Sequence, residues 1–243
     1  MFQVLHLPAA VLSNLIPTNA AWTVSGSLAH TAEPTRFAAV PSTMYKDYPR
    51  SLSPEWPGPE RWVSFDVMWA RQSDNYGLGI ICEVFGLRVN SNVENADLRA
   101  AVVANAKRHL VDPRILLAVA IQHSYACVRM QETQDTGWGA KRYGIMGSFG
   151  APEWVGSQCI NGSASVAPCD ASIIDRMIDD GARCLANIVN SLQAVNQSTA
   201  MWHALGQYYG GPQFSLTKVE TYHWLNNIYN TLSGWVFILG AGI

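Results

Sequence analysis

Residues 112–124 read D-P-R-I-L-L-A-V-A-I-Q-H-S, and this stretch limits the fold more than any other. Asp112 is a natural helix cap. Pro113 suits a first helical turn, because its missing N–H would have no partner there anyway. From Ile115 to Ile121 every side chain is apolar. A helix that is apolar all round, rather than along one stripe, is stable only when other elements surround it. The sequence therefore predicts a buried central helix that ends in the polar residues Gln122, His123 and Ser124.

The rest of the chain supplies the surround. Leu98, Val102, Ala106 and Leu110 fall at helical spacing in a segment that starts near Asn95. A longer helix runs from about Asp170, with Ile174, Met177, Ile178, Gly181, Cys184, Leu185 and Ile188 as its buried stripe. Two more helices fit residues 198–209 and 218–236, and residues 62–85 read as a short helix or turn followed by an apolar segment. Residues 131–150 are rich in glycine and lack a helical period, as in a loop with short strands. Six of the twelve prolines lie in residues 31–60, with Tyr45, Tyr48 and Trp56 among them. That pattern predicts an extended, irregular arm whose aromatics pack on the body. The expected division is an apolar segment and Pro-rich arm over 1–61, a folded domain over 62–236 and an apolar tail over 237–243. Residues 2–16 are apolar and are followed by Ala20 and Ala21, as in a signal peptide. The lack of a basic start, and Pro8 inside the stretch, fit a buried N-terminal arm equally well.

Composition narrows the partners. Charged residues make up 14 % of the chain, where about 25 % is usual. Nine Trp and nine Tyr partly replace them, which suits apolar or sugar-like ligands. A net charge of −2 without a long basic run argues against nucleic acid. No stretch is long and apolar enough to span a bilayer. There is no GxGxxG after a strand and no P-loop, so no nucleotide cofactor is expected. Without CxxC or HxxxH spacing, no zinc or other metal site is expected either.

The five cysteines are Cys82, Cys127, Cys159, Cys169 and Cys184. An odd number is a poor fit to a pure disulfide framework, but Cys159 and Cys169 share one short loop that a bridge would close. Asn161-Gly-Ser and Asn196-Gln-Ser match the glycosylation acceptor pattern. With the cysteines, they lean toward the secretory route or a lumenal or extracellular home.

Ile115 to Gln122, followed by a polar residue and Ser124, resembles the active-site helix of lysozyme-like domains. Gly137-Trp138-Gly139 with Tyr143-Gly144-Ile145-Met146 resembles the glycine-rich loop of goose-type lysozymes and soluble lytic transglycosylases. Cys127-Val128-Arg129, Pro168-Cys169, Ile174, Met177, Ile178, Asp180-Gly181 and Gly234-Trp235 are similar to the fungal secreted lysozyme-like group. The resemblance implies a mainly α, α+β lysozyme-like fold with a central buried helix and a small glycine-rich β-loop. By position it also implies a Cys82–Cys127 bridge across that helix, which leaves Cys184 as a buried thiol.

The departures bear on function. Where the family has its catalytic Glu, this chain has His123. Cleaving a glycoside needs a carboxylic acid of raised pKa. A protonated His carries positive charge and would repel the developing oxocarbenium. Ala140 stands where goose-type enzymes often carry Asp, and Gly147 stands where the family has a sugar-binding Gln. Tyr208-Tyr209-Gly210-Gly211 replaces a Tyr-Asn-x-Gly sequence.

The expected function is therefore a cofactor-free cyclase or isomerase of the cycloaddition (Diels–Alder) type. It would act on an apolar small molecule in fungal secondary metabolism. His123, Tyr208 and Tyr209 are the expected catalytic donors, and Trp138, Tyr143, Met146, Gly147, Ser148 and Arg129 the expected substrate-binding residues. Gly147, Ala140 and Tyr209 would enlarge and grease the cleft. Other uses stand beside these. His123 can be a hydrogen-bonded helix-end histidine, and Tyr143, Tyr208 and Tyr209 can be core aromatics. Arg129 can face solvent or pair with a carboxylate. The alternative functions are a non-catalytic sugar-binding or effector-like protein, and a muramidase whose acid groups have moved to Glu132 or Asp135.

Overall fold

Asp112 caps the central helix as expected, its carboxylate accepting from the Arg114 N–H at 2.8 Å. In the computed structural model that helix is α3 (Pro113–Ser124), and nine of its residues are buried: Arg114, Ile115, Leu116, Leu117, Ala118, Val119, Ala120, Ile121 and Ser124. The structure describes residues 44–48, 58–75, 78–130, 133–134, 141–142, 144–147, 159, 168–192, 197–211, 214–215 and 217–236. Among them the protein is mainly helical. Around α3 stand α1 (Phe65–Asn75), α2 (Asn92–His109), α4 (Ala171–Ser191), α5 (Gln197–Gly210) and α6 (Val219–Leu232), with short 3-10 turns at Pro59–Arg61 and Ile80–Phe85. α3 packs against α1, α2, α4 and α6, while α4 bridges α2 to α5. Each fully buried Leu, Ile or Val of α3 contributes about 1.5–3 kcal/mol, which fixes the helix at the centre. No helix among the described residues is long and apolar enough to cross a membrane.

One antiparallel ladder pairs β1 (Thr133–Gln134) with β2 (Lys141–Arg142), Thr133 opposite Arg142. The glycine-rich residues 137–140 between the strands lie outside the described residues, as do residues 1–43, the tail 237–243, the motif Asn161-Gly-Ser and Asn196 of the second motif.

Three helix ends differ from the periodicity. α2 begins at Asn92 rather than near Asn95, because Ser91 and Glu94 form a reciprocal capping box. Leu110, expected on its buried stripe, is instead the C-cap, left-handed at φ 56° and 60 % exposed. α6 stops at Leu232, after which Gly234 at φ 84° turns the chain.

The arm does pack on the body where it is described. Tyr48 lies 4.6 Å from the ring of Tyr229, which stacks on Trp202 at 4.0 Å. Trp202 meets Trp62 edge-on, and the Arg114 guanidinium sits 4.9 Å over Trp62. This aromatic column ties the arm, α6 and α5 to the start of α3.

Both disulfides are present, Cys82–Cys127 and Cys159–Cys169, with Cα separations of 5.6 and 5.7 Å, inside the usual range. Cys184 takes part in neither and is buried on α4.

Candidate functional site

The site is built where α3 ends. The helix closes through Tyr125 at φ 50° and Ala126 at φ 59°. Two consecutive non-glycine residues in the left-handed region cost about 1–2 kcal/mol each, so this turn has to be held. The Ala126 N–H donates to Ala120 O at 3.0 Å, Gly79 N–H to Tyr125 O at 2.8 Å, and Asn90 Nδ2 to Ala126 O at 2.7 Å. The Cys82–Cys127 bridge locks the next residue. Gly79 is obligatory here, since a Cβ would sit 2.4 Å from the carboxamide carbon of Asn90. The chain thus reverses directly after His123 and Ser124.

Opposite this helix end lies the turn 144–147, gripped from three helices. From α3, Ser124 Oγ reaches Ile145 O at 2.8 Å and Ala120 O at 3.0 Å. From α5, the Tyr208 hydroxyl donates to Met146 O at 2.9 Å. From α4, Gly181 leaves a notch for the Met146 side chain, because a Cβ there would come within 2.6 Å of Met146 Cβ and Cγ. Gly147, at φ +60°, closes against His123: a Cβ would lie 2.2 Å from the imidazole Cε1 and Nδ1.

The structure brings His123, Met146, Gly147 and Tyr208 together, with His123 half-buried. Gly147 does not enlarge the cleft beside His123, because the imidazole takes that space. Tyr208 is 1 % exposed, and its hydroxyl proton is spent on the Met146 carbonyl; it is a core aromatic that holds the turn. Tyr209 belongs to a second cluster. Its half-buried ring stacks on Trp224 at 4.8 Å, beneath the Arg142 guanidinium, and Arg142 also donates to the Tyr209 carbonyl. Trp138, Tyr143, Ser148, Ala140, Glu132 and Asp135 lie outside the described residues.

Arg129 pairs with a carboxylate. It donates to Glu94, which is fully buried. The same carboxylate accepts from Cys169 N–H at 2.6 Å, Ser91 N–H at 2.7 Å and Ser91 Oγ at 2.8 Å. Burial pushes the Glu94 carboxyl upward, but the hydrogen bonds from Cys169, Ser91 and Arg129 outweigh it and hold the group below the usual carboxylate range. Glu94 is therefore a structural anion joining α2, the 127–130 turn and the start of α4. A carboxyl so held is unsuited to protonating a leaving oxygen. Sequence periodicity missed it, although Ser91-Asn-Val-Glu94 announces the cap.

Among the described residues no three His, Cys, Asp or Glu side chains are grouped as metal ligands. Comparison of the chain with protein-family models, with curated proteins and with solved structures finds no match.

Proposed function

We propose that this chain is a lysozyme-like helical domain rebuilt as a cofactor-free cyclase or isomerase of an apolar small molecule, with His123 meeting a carbonyl of the substrate. The contact between His123 and Gly147 carries the reading. Both positions depart from the lysozyme-like pattern, and they depart together, since any Cβ at 147 would collide with the imidazole. Independent drift loses residues one at a time. A replacement at one site position that is seated by a replacement at another points to a site reshaped around the new side chain.

An imidazole, neutral or protonated, can donate a hydrogen bond to a carbonyl. That bond stabilises charge developing on the oxygen as the ring closes, and losing such a donor costs roughly 10²–10³ in rate. Holding the reacting carbons in a near-attack shape contributes up to about 7–11 kcal/mol. On this reading Trp138, Tyr143 and Ser148 bind the substrate, as the lysozyme-like resemblance implies. The reaction is an isomerisation, so no co-reactant is consumed. The two disulfides support a secretory or lumenal location.

The non-catalytic alternative, a sugar-binding or effector-like protein, gains from one observation: the Tyr208 hydroxyl, an expected catalytic donor, is bonded to the Met146 carbonyl. One experiment separates the two. Purified protein is incubated with unsaturated apolar carbonyl compounds, with chitin oligomers and with peptidoglycan, and products are followed by mass spectrometry. The proposal expects an isomer of unchanged mass from parent protein and none from His123→Ala. Cleavage of either glycan overturns it, and glycan binding without any turnover selects the second reading.

A further inference from the structure

Asn90 is 8 % exposed and stands in the short link between the 3-10 turn Ile80–Phe85 and the Ser91 cap of α2. Its carboxamide reaches the chain just beyond α3 twice. Nδ2 donates to Ala126 O at 2.7 Å, and Oδ1 accepts from the Val128 N–H at 3.1 Å. Nδ2 also donates to Asn95 Oδ1 at 3.0 Å, which ties the group to α2. One side chain thus holds the main chain on both sides of Cys127. A carboxamide offers two donor hydrogens and an acceptor oxygen, and each of them is engaged here. An apolar residue of the same size could make none of these bonds.

The Cys82–Cys127 bridge already tethers this point of the chain. A tether at Cys127 does not fix how the peptides on either side are turned, and here that orientation needs holding. Helices commonly end on one left-handed residue, usually glycine. This one ends on two, Tyr125 at φ 50° and Ala126 at φ 59°, and neither is glycine. With Cys127 fixed by its bridge, a change of φ at Ala126 swings the upstream side, which is the helix end. The Ala126 N–H then leaves Ala120 O, and the last turn of α3, with Gln122, His123 and Ser124, opens. Ser124 Oγ holds Ile145 O at 2.8 Å, in the turn that puts Gly147 against His123. An unbroken path of bonded groups therefore runs from Asn90 to the imidazole.

We infer that Asn90 is a positioning residue for His123: its carboxamide fixes the two-residue left-handed turn and so seats the imidazole against Gly147. The meaning of this seating for catalysis rests on the reading of His123 as the donor to substrate. The seating itself is read without any substrate.

The full chain, disulfides intact, is labelled with carbon-13 in histidine, and the imidazole signals are followed by NMR. His123 is assigned by the signal lost in His123→Ala. Asn90→Ala shifts or splits the His123 signal. It leaves in place that of His109, at the far end of α2 about 25 Å away. Adding Ala126→Gly, which removes the cost of a left-handed φ, returns the His123 signal toward its parent position. A general loss of stability would not be repaired at that one ring. An unmoved His123 signal in folded Asn90→Ala overturns the inference, as does a shift that Ala126→Gly leaves unchanged. Should Asn90→Ala not fold, Asn90→Asp is measured in the same way. It keeps the size and the acceptor for the Val128 N–H but sets an oxygen against Ala126 O, and an unmoved signal again overturns the inference. For an unsaturated apolar carbonyl compound that the parent isomerises and His123→Ala does not, Asn90→Ala lowers kcat by about tenfold or more with KM little changed, as for a misplaced group. An unchanged kcat overturns the positioning role. A moved imidazole in a protein that turns over no such compound rejects the proposed function and leaves the seating by Asn90 standing.

Discussion

A side-chain carbon placed on Gly147 would lie 2.2 Å from both Cε1 and Nδ1 of His123, so the identities of these two residues are coupled. Gly147→Ala pays twice: about 1–2 kcal/mol for an L-residue at positive φ, and about 1–3 kcal/mol for overpacking against the ring. In a His123→Ala background only the first cost remains. Urea unfolding of the four proteins should therefore give a coupling of about 1–3 kcal/mol. Strict additivity would mean that the imidazole moves aside freely.

Tyr208→Phe keeps the buried ring and removes its bond to the Met146 carbonyl. Stability should fall by about 1–2 kcal/mol, because a buried carbonyl loses its donor. Any activity should fall through misplacement of the 144–147 turn, with its pH profile unchanged in shape. A lost limb of that profile would instead make Tyr208 a proton donor.

Two part-buried or buried carboxylates, Glu94 and Asp179, should weigh on acid stability. Glu94 is held low as described, and Asp179 likewise: burial pushes it up, but hydrogen bonds from His109 at 2.8 Å and Arg108 at 2.7 Å pull it further down. A carboxyl lowered by folding adds stability that is complete above its unfolded pKa of about 4 and is lost as pH falls through the lower folded value. Unfolding free energy should therefore be insensitive to these groups near neutral pH and should drop below about pH 4. Glu94→Gln leaves Arg129 buried without its charge partner, at a cost of about 3–5 kcal/mol at neutral pH, and flattens the acid slope. Denaturant titrations from acid to neutral pH check both signs.

The disulfides should contribute unequally. Their separations of 45 and 10 residues correspond to about 4 and about 3 kcal/mol in the loop-entropy model. Cys82→Ser with Cys127→Ser should cost more than Cys159→Ser with Cys169→Ser. The larger loss should also loosen the Tyr125–Ala126 turn beneath His123. Intact mass should rise by four hydrogens on reduction, from the two bridges; no rise would reject both.

What the sequence alone determined is what is local. Asp112 and Pro113 start α3, the apolar run buries it, and a stripe at steps of three and four orients α4, because caps and periodicity act within one or two turns. The Cys159–Cys169 pair followed from its one short loop, while Cys82–Cys127 was implied by the lysozyme-like resemblance. Sequence could also name His123 and Gly147 as unusual, each on its own. Only the tertiary structure decided that they touch, that Tyr208 spends its proton 62 residues away on Met146, that Arg129 pairs with Glu94 35 residues away, and that Asn230 holds Lys46 across 184 residues. The reason is physical: a polar side chain shows no periodicity that reveals its partner. Whether it serves the core or faces a ligand is settled only when distant segments meet and each buried donor must find an acceptor.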